Sequence, residues 1–364
     1  MKKFAFYLPQ FHEIPENNKW WGEGFTEWTN VKKAVPLFKR HNQPKKPLSN
    51  NYYNLLDVNT VKWQTSLMKE YGIDGLIYYH YYFNGKLLLE KPAEKLLKNK
   101  DINQKFFFCW ANHSWIKSWG GSKETLIEQT YGSKDDWEKH FQYLLPFFKD
   151  ERYEKKDNMP LFMLYGYNNK NLYNYMKYIN KRCVDEGFDG LFLINTCEFG
   201  YYDWPKHFNE SINTDKDIVK RVFVREANVA LDIYNSKLKY KPMKIYKKIK
   251  RHTLRTTNKK IPSIYSGNLL YNIIYKEEPV NKRLIHGLFF EWDNTPRHKE
   301  RGYVITPPSK KMFFKVMNKF KDEEYIFFNA WNEWAEGMML EPTKENGYKY
   351  LEWIKEYSKR NHKV

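Results

Sequence analysis

The chain has 364 residues, a formal net charge of +19 and an aromatic content of 18%. That length admits one large α/β barrel or two ordinary domains, and no apolar window is long enough to cross a bilayer. The charge calls for an anionic partner; with no recognition module for nucleic acid, a lipid surface or an acidic polysaccharide fits it better.

In chain order, Met1–Pro9 has the basic start of a signal peptide, but its apolar run is too short and Pro9-Gln10 interrupts it, so it reads as a first strand. Further apolar runs at Ile73–Tyr82, Phe106–Asn112, Leu161–Tyr167, Leu191–Cys197, Val222–Ile233, Leu284–Trp292 and Tyr325–Glu333 predict strands two to eight. Between them, Thr60–Tyr71, Asp135–Phe148 and Leu172–Glu186 carry helical periodicity, with Gly72, Gly187 and Gly190 placed as helix stops. Gly347–Arg360 reads as the closing helix. Eight strands alternating with helices predict a single (β/α)8 TIM barrel over residues 1–364 with elaborated βα loops. A doubly wound sheet would show a Gly-rich first turn, and the first strand runs instead into Pro9-Gln10-Phe11-His12.

In a barrel the chemistry lies at the C-terminal strand ends. The last strand ends in Trp331-Asn332-Glu333-Trp334-Ala335-Glu336-Gly337, two carboxylates flanked by two indoles. Paired carboxylates exchange protons with glycosidic oxygens, and indole faces stack on sugar rings. Glu333 and Glu336 are therefore the candidate catalytic pair. Trp28, Trp110, Trp115, Trp292, Trp331 and Trp334 are candidates for sugar stacking or for an apolar wall. Asn112, Asp293 and Asn332 suit hydroxyl recognition, and His12, His113 and Arg297 complete the candidate substrate-binding set. His12, His80 and His113 lack metal-ligand spacing, so no metal and no cofactor is expected. Asp215-Lys216-Asp217 follows no apolar strand and reads as a solvated turn rather than a metal-binding Asp-x-Asp.

Residues 237–260, an insert after strand six, hold eleven Lys or Arg and no acid. Met243, Tyr246 and Ile249 form an apolar stripe there, suited either to packing on the barrel or to an anionic membrane surface. Cys109, Cys183 and Cys197 are odd in number and read as buried reduced thiols, which predicts a cytoplasmic address, with the membrane's inner face as a candidate surface.

Tyr7-Leu8-Pro9-Gln10-Phe11-His12, Trp21–Trp28, Trp110-Ala111-Asn112 with Trp115, Trp292–Arg297 and Trp331–Gly337 together resemble the WbsX-type proteins of bacterial surface-polysaccharide clusters, which group with the glycoside hydrolase family 99-like barrels. The resemblance implies the barrel and a role in making or trimming cell-surface glycans, O-antigen or capsule; the basic insert, if it leans on anionic lipid, would bring that barrel to a lipid-linked rather than a free oligosaccharide. Family 99 hydrolases are retaining endo-mannosidases whose two glutamates match Glu333 and Glu336. The resemblance implies that Glu333 deprotonates the sugar 2-hydroxyl, giving an anhydrosugar intermediate, while Glu336 acts as acid and then base. Those hydrolases commonly carry histidine where this chain has Ala335, so mannose specificity does not carry over. Hydrolysis and transfer stay open, as do a non-catalytic glycan-binding barrel and a nucleotide-sugar-dependent transferase.

Overall fold

The computed structural model describes residues 1–117, 124–166, 170–197, 218–242, 245, 261–277 and 282–361. Eight parallel strands, β1 (Lys2–Tyr7), β2 (Gly75–Phe83), β3 (Lys105–Trp110), β4 (Met159–Leu164), β5 (Phe192–Cys197), β6 (Val219–Arg225), β7 (Leu284–Phe289) and β8 (Tyr325–Asn329), pair in sequence order. Lys2 to Ala5 of β1 then pair with Tyr325 to Phe328 of β8, and this closes the barrel. The helices that pack outside it or elaborate its loops are α1 (Pro15–Trp21), α2 (Glu27–Lys33), α3 (Val58–Tyr71), α4 (Lys91–Lys98), α5 (Lys134–Lys149), α6 (Lys170–Asp185), α7 (Glu226–Ser236), α8 (Gly267–Glu277), α9 (Thr295–His298), α10 (Lys310–Lys319) and α11 (Lys349–Asn361).

All eight predicted strands are present, with one correction. The run Val222–Ile233 is not one strand: β6 ends at Arg225 and α7 starts at Glu226. Beyond Arg225 the buried residues Ala227, Ala230, Ile233 and Tyr234 recur at helical rather than alternating spacing. Asp215-Lys216-Asp217, and most of residues 237–260 with Met243, Tyr246 and Ile249, lie outside the described residues. No helix among the described residues is long and apolar enough to cross a membrane.

The barrel interior is plugged by phenylalanines. Phe4 packs on Phe107 with ring centroids 5.2 Å apart, Phe107 on Phe327 at 5.6 Å, Phe327 on Phe223 at 5.5 Å and Phe223 on Phe6 at 5.1 Å. So many rings fit because β7 gives way: a Cβ on Gly287 would stand 2.5 Å from Cζ of Phe223. Dense aromatic packing excludes water from the strands' middle, so polar chemistry is confined to the layer above the plug. Tyr79 lies stacked on Phe6 at 5.6 Å and marks the start of that layer.

Candidate active site

The segment after β8 folds back as a tight hairpin. Asn332–Glu333 pairs antiparallel with Met338–Met339, and Trp334–Glu336 forms a single 3-10 turn between them. Gly337 closes the turn at φ 57°, a left-handed conformation that suits glycine, and an added Cβ there would approach the Asp293 side chain to 3.0 Å. The hairpin is pinned from below. The Trp331 amide donates to the Phe6 carbonyl at 2.7 Å, and Asn332 both accepts from the Leu8 amide at 2.8 Å and donates to its carbonyl at 3.0 Å. Two carboxylates three residues apart are thus held over the mouth by short backbone contacts.

Both carboxylates turn to Arg297, in α9 after β7. Its Nη1 lies 2.5 Å from Glu336 Oε1 and its Nη2 3.7 Å from Glu333 Oε2. A third carboxylate, Glu27 at the start of α2, sits 2.5 Å from Nη2 and is fully buried. The Glu336 side chain, 28% exposed, also accepts from Trp292 Nε1 at 3.1 Å. Glu333, with a 13% exposed side chain, makes no hydrogen bond through Oε2.

One guanidinium shared by three carboxylates cannot hold all of them ionised equally well. Burial first, then the neighbouring charge of Glu336, pushes Glu333 up to about 8, against the opposing pull of Arg297. Burial also raises Glu27, with Arg297 as its counterweight. Glu333 is thus the carboxyl pushed above the usual range, while Glu336 has the close contact with the cation.

Around the pair opens a cavity of about 510 Å³, lined among others by Gln10, Trp21, Tyr79, Tyr81, Phe83, His113, Trp115, Tyr165, Arg297, His298, Glu333 and Glu336. Its aromatic shelf is a layered stack: Trp115 lies parallel to Tyr81 at 5.3 Å and to Phe83 at 6.1 Å. An aromatic shelf facing a carboxylate pair suits a ligand with C–H faces and exchangeable hydroxyl protons, which describes a saccharide. Glu291, also at the end of β7, is engaged elsewhere, 3.0 Å from the buried Lys45 ammonium.

Of the sequence candidates, the structure brings together Glu333, Glu336, Arg297, His113 and Trp115 in the cavity, with Trp292 on Glu336. The others are packing or anchoring residues. Trp110 and Trp331 have no exposed surface to offer a ligand, and His12, Trp28 and Trp334 are buried. Trp28 donates its indole N–H to the Tyr53 carbonyl at 2.8 Å, Trp110 to the Tyr82 carbonyl at 3.1 Å, and Trp334 to Glu341 at 2.6 Å. Asn112 ties two loops together through both backbone groups of Gly166. Asn332 is committed to Leu8, and Asp293 already accepts from His41 and Gln43 at 2.8 and 2.7 Å and from Thr295. His80 points out of the barrel to His140 of α5, Nε2 to Nε2 at 2.7 Å.

Sequence reasoning missed Tyr81, Tyr165, His298 and the buried Glu27. For Tyr81 the missing signal was strand parity. On β2, Tyr79 and Tyr81 line the cavity, whereas His80 and Tyr82 lie against His140 outside.

The chain matches the family described as glycosyltransferase WbsX over residues 3–354. It belongs to that family. It is 28% identical over 367 residues to the uncharacterised protein WxcX of Xanthomonas campestris pv. campestris, in strain B100 and in strain ATCC 33913, covering 96% of this chain and 48% of each relative. The chain thus spans about half the length of the curated relatives it matches. Among solved structures it is similar to a family 99 endo-α-mannosidase of Bacteroides thetaiotaomicron, at 13% identity and TM-score 0.54 over 99% of this chain and 97% of that one. A glycoside hydrolase-like protein matches at 12% identity and TM-score 0.54, over 98% and 93%. At such identities the likeness establishes the shared (β/α)8 fold.

Proposed function

We propose that this WbsX-family barrel is a carbohydrate-active enzyme of bacterial surface-polysaccharide biosynthesis or processing, O-antigen or capsule, and that Glu333 and Glu336 are its working carboxylates. One observation carries the reading: both carboxylates reach a shared arginine at the wall of an aromatic cavity at the barrel's C-terminal mouth. The pair acts with one exchangeable proton between its two carboxyls. A retaining course through the sugar 2-hydroxyl needs a base beside that hydroxyl and an acid beside the glycosidic oxygen. The free Oε2 of Glu333 and the solvent-facing part of Glu336 supply two such positions. Resolution by water gives hydrolysis, and resolution by a sugar hydroxyl gives transfer. The substrate class is a free or lipid-linked oligosaccharide, handled at the inner face of the membrane.

The test is product analysis by mass spectrometry with oligosaccharides prepared from the host's own surface polymer. Glu336→Gln and Glu333→Gln are each expected to lower turnover by about 10²–10⁴-fold while the cavity still binds glycan. An aryl glycoside with a good leaving group identifies the acid, because only the variant lacking the acid regains rate with it. Unchanged product formation in both variants sinks the proposal. Binding without turnover in the wild type would make the chain a glycan-binding barrel.

A further inference from the structure

The barrel carries a second cavity, of about 540 Å³, which shares no lining residue with the one at Glu333 and Glu336. Its walls come from the segments that follow β1 and β8, from α3 and from the chain just before α11. Tyr52, Trp63 and Tyr348 offer half-buried rings, and the buried rings of Tyr53 and Trp334 complete the aromatic part. Ser49, Asn50 and Asn51 add a hydroxyl and two amides. None of the eleven lining residues carries a charge near neutral pH, in a chain of which 29% is Asp, Glu, Lys or Arg. The first cavity, by contrast, holds an arginine, two histidines and two glutamates.

These walls are fixed by contacts of their own. The Leu48 amide donates to the Pro342 carbonyl at 3.0 Å, and Pro47 bridges to Thr343, which ties the loop after β1 to the loop after β8. The Tyr53 hydroxyl and the Trp334 indole N–H both donate to Glu341, at 2.7 and 2.6 Å. Tyr71 lies parallel to Tyr348 at 5.7 Å, and Tyr53 packs on Trp63 at 6.1 Å. Ser49 and Asn50 both adopt left-handed backbone, at φ 56° and 55°, an uncommon conformation for consecutive residues other than glycine. Their turn is closed by main-chain bonds, from the Asn50 amide to the Pro47 carbonyl at 3.1 Å and from the Asn51 amide to the Leu48 carbonyl at 3.2 Å. The side chains of Asn50 and Asn51 are not needed to hold it. Rings locked by packing and amides spared by their own turn make a preorganised surface.

We infer that this cavity is a second saccharide site, which takes an uncharged sugar unit with its C–H faces on the Tyr52, Trp63 and Tyr348 rings and its hydroxyls on Asn50 and Asn51. Aromatic rings match the C–H faces of a sugar, and an amide both donates and accepts, as a hydroxyl does. A charged unit finds no counter-charge in this lining, and a wholly apolar ligand would strip water from the amides without replacing it. The occupant is held and not cleaved, because Glu333 and Glu336 line the other cavity. Its link to them is Trp334, which belongs to the 3-10 turn between the two carboxylates. The inference goes beyond the function proposed above and does not depend on turnover.

The experiment is NMR of the full chain with its tryptophan indoles labelled with nitrogen-15, titrated with mannotriose, galactotriose and chitotriose. The Trp63 signal is identified by its loss in Trp63→Phe. At least one probe is expected to shift that signal saturably, while Trp115, in the other cavity, follows a separate curve or none. Tyr348→Ala and Asn51→Ala should each weaken the binding about three- to tenfold, and Trp115→Ala should leave it unchanged. If Tyr348→Ala does not fold, Asn51→Ala decides. Trigalacturonate should bind at Trp63 no more tightly than its uncharged methyl ester in about 0.5 M salt, where attraction to the basic surface is screened. A Trp63 signal unmoved by all three trisaccharides overturns the inference. So does a shift that Trp115→Ala removes, since one cavity would then account for both, or one that keeps its affinity in both Tyr348→Ala and Asn51→Ala. An advantage of the charged form overturns the assignment to an uncharged sugar. Each failure leaves the glycan-enzyme reading standing, because that reading is decided by product formation in the Glu333 and Glu336 variants.

Discussion

Glu333 and Glu341 are two carboxylates on either side of Trp334, and they show how similar burial serves opposite ends. Burial pushes both up, Glu341 to about 7 and Glu333 to about 8. Glu341 accepts from the Tyr53 hydroxyl and from Gln64 Nε2 at 2.7 Å each, and from Trp334 Nε1 at 2.6 Å. Its oxygens are committed to α3, the first βα loop and the hairpin. Glu333 keeps an oxygen without a hydrogen bond and its nearest cation is shared with two other acids. A buried carboxylate that is fully hydrogen-bonded is architecture; one left short of partners beside a cavity is available for chemistry.

The comparison breaks most visibly in activity. Glu333→Gln and Glu336→Gln are each expected to lower turnover by about 10²–10⁴-fold, with modest change in thermal midpoint. If Glu341→Gln cost as much turnover at unchanged stability, the division between the two carboxylates would fail. Next in size is Arg297→Met, which strands Glu27, fully buried and opposite no other cation among the described ion pairs. Its expected cost is about 3–5 kcal/mol of stability in a urea titration, and Glu27→Gln in the same chain should recover part of it.

Glu341→Gln should cost about 1–3 kcal/mol, since an amide offers one acceptor where the carboxylate offered two. The smallest effect is in pH. In the folded chain Glu341 and Glu333 keep protons up to about 7 and about 8, above their ordinary value of 4.5. The fold therefore binds more protons than the unfolded chain between those limits, and stability falls as pH rises through that window. The slope from each group is at most about 1.4 kcal/mol per pH unit. Glu333→Gln should flatten its upper part, measured as the urea midpoint at a series of pH values; an unchanged slope would mean that Glu333 is ionised throughout.

Strand ends were legible in the sequence, but strand faces were not read from it. The Phe106–Asn112 run located β3 and Trp110 near its end, yet Trp110 faces α5 and α6, packed on His140 and Tyr175, while Cys109 shares the interior with Tyr79. A one-residue step on a strand changes which side of the sheet a group serves. Trp331 and Trp334, adjacent to the carboxylates in sequence, are buried beneath them; Trp115 and Tyr81, far away in sequence, make the shelf. Glu27 lies within Trp21–Trp28, and nothing local distinguishes it from a helix-start acid. Only the arrival of Arg297 from β7 gives it a role.

By itself the sequence determined the (β/α)8 barrel, the order of its strands and the pole at which polar groups collect, because hydrophobic periodicity and loop punctuation are local properties that burial must obey. Which side chains meet at that pole was decided by the closed barrel. Closure sets Glu27, from the segment after β1, and Glu333 and Glu336, from the segment after β8, around the Arg297 guanidinium that follows β7. Charge balance depends on distances through space, and those exist only once β8 has paired with β1.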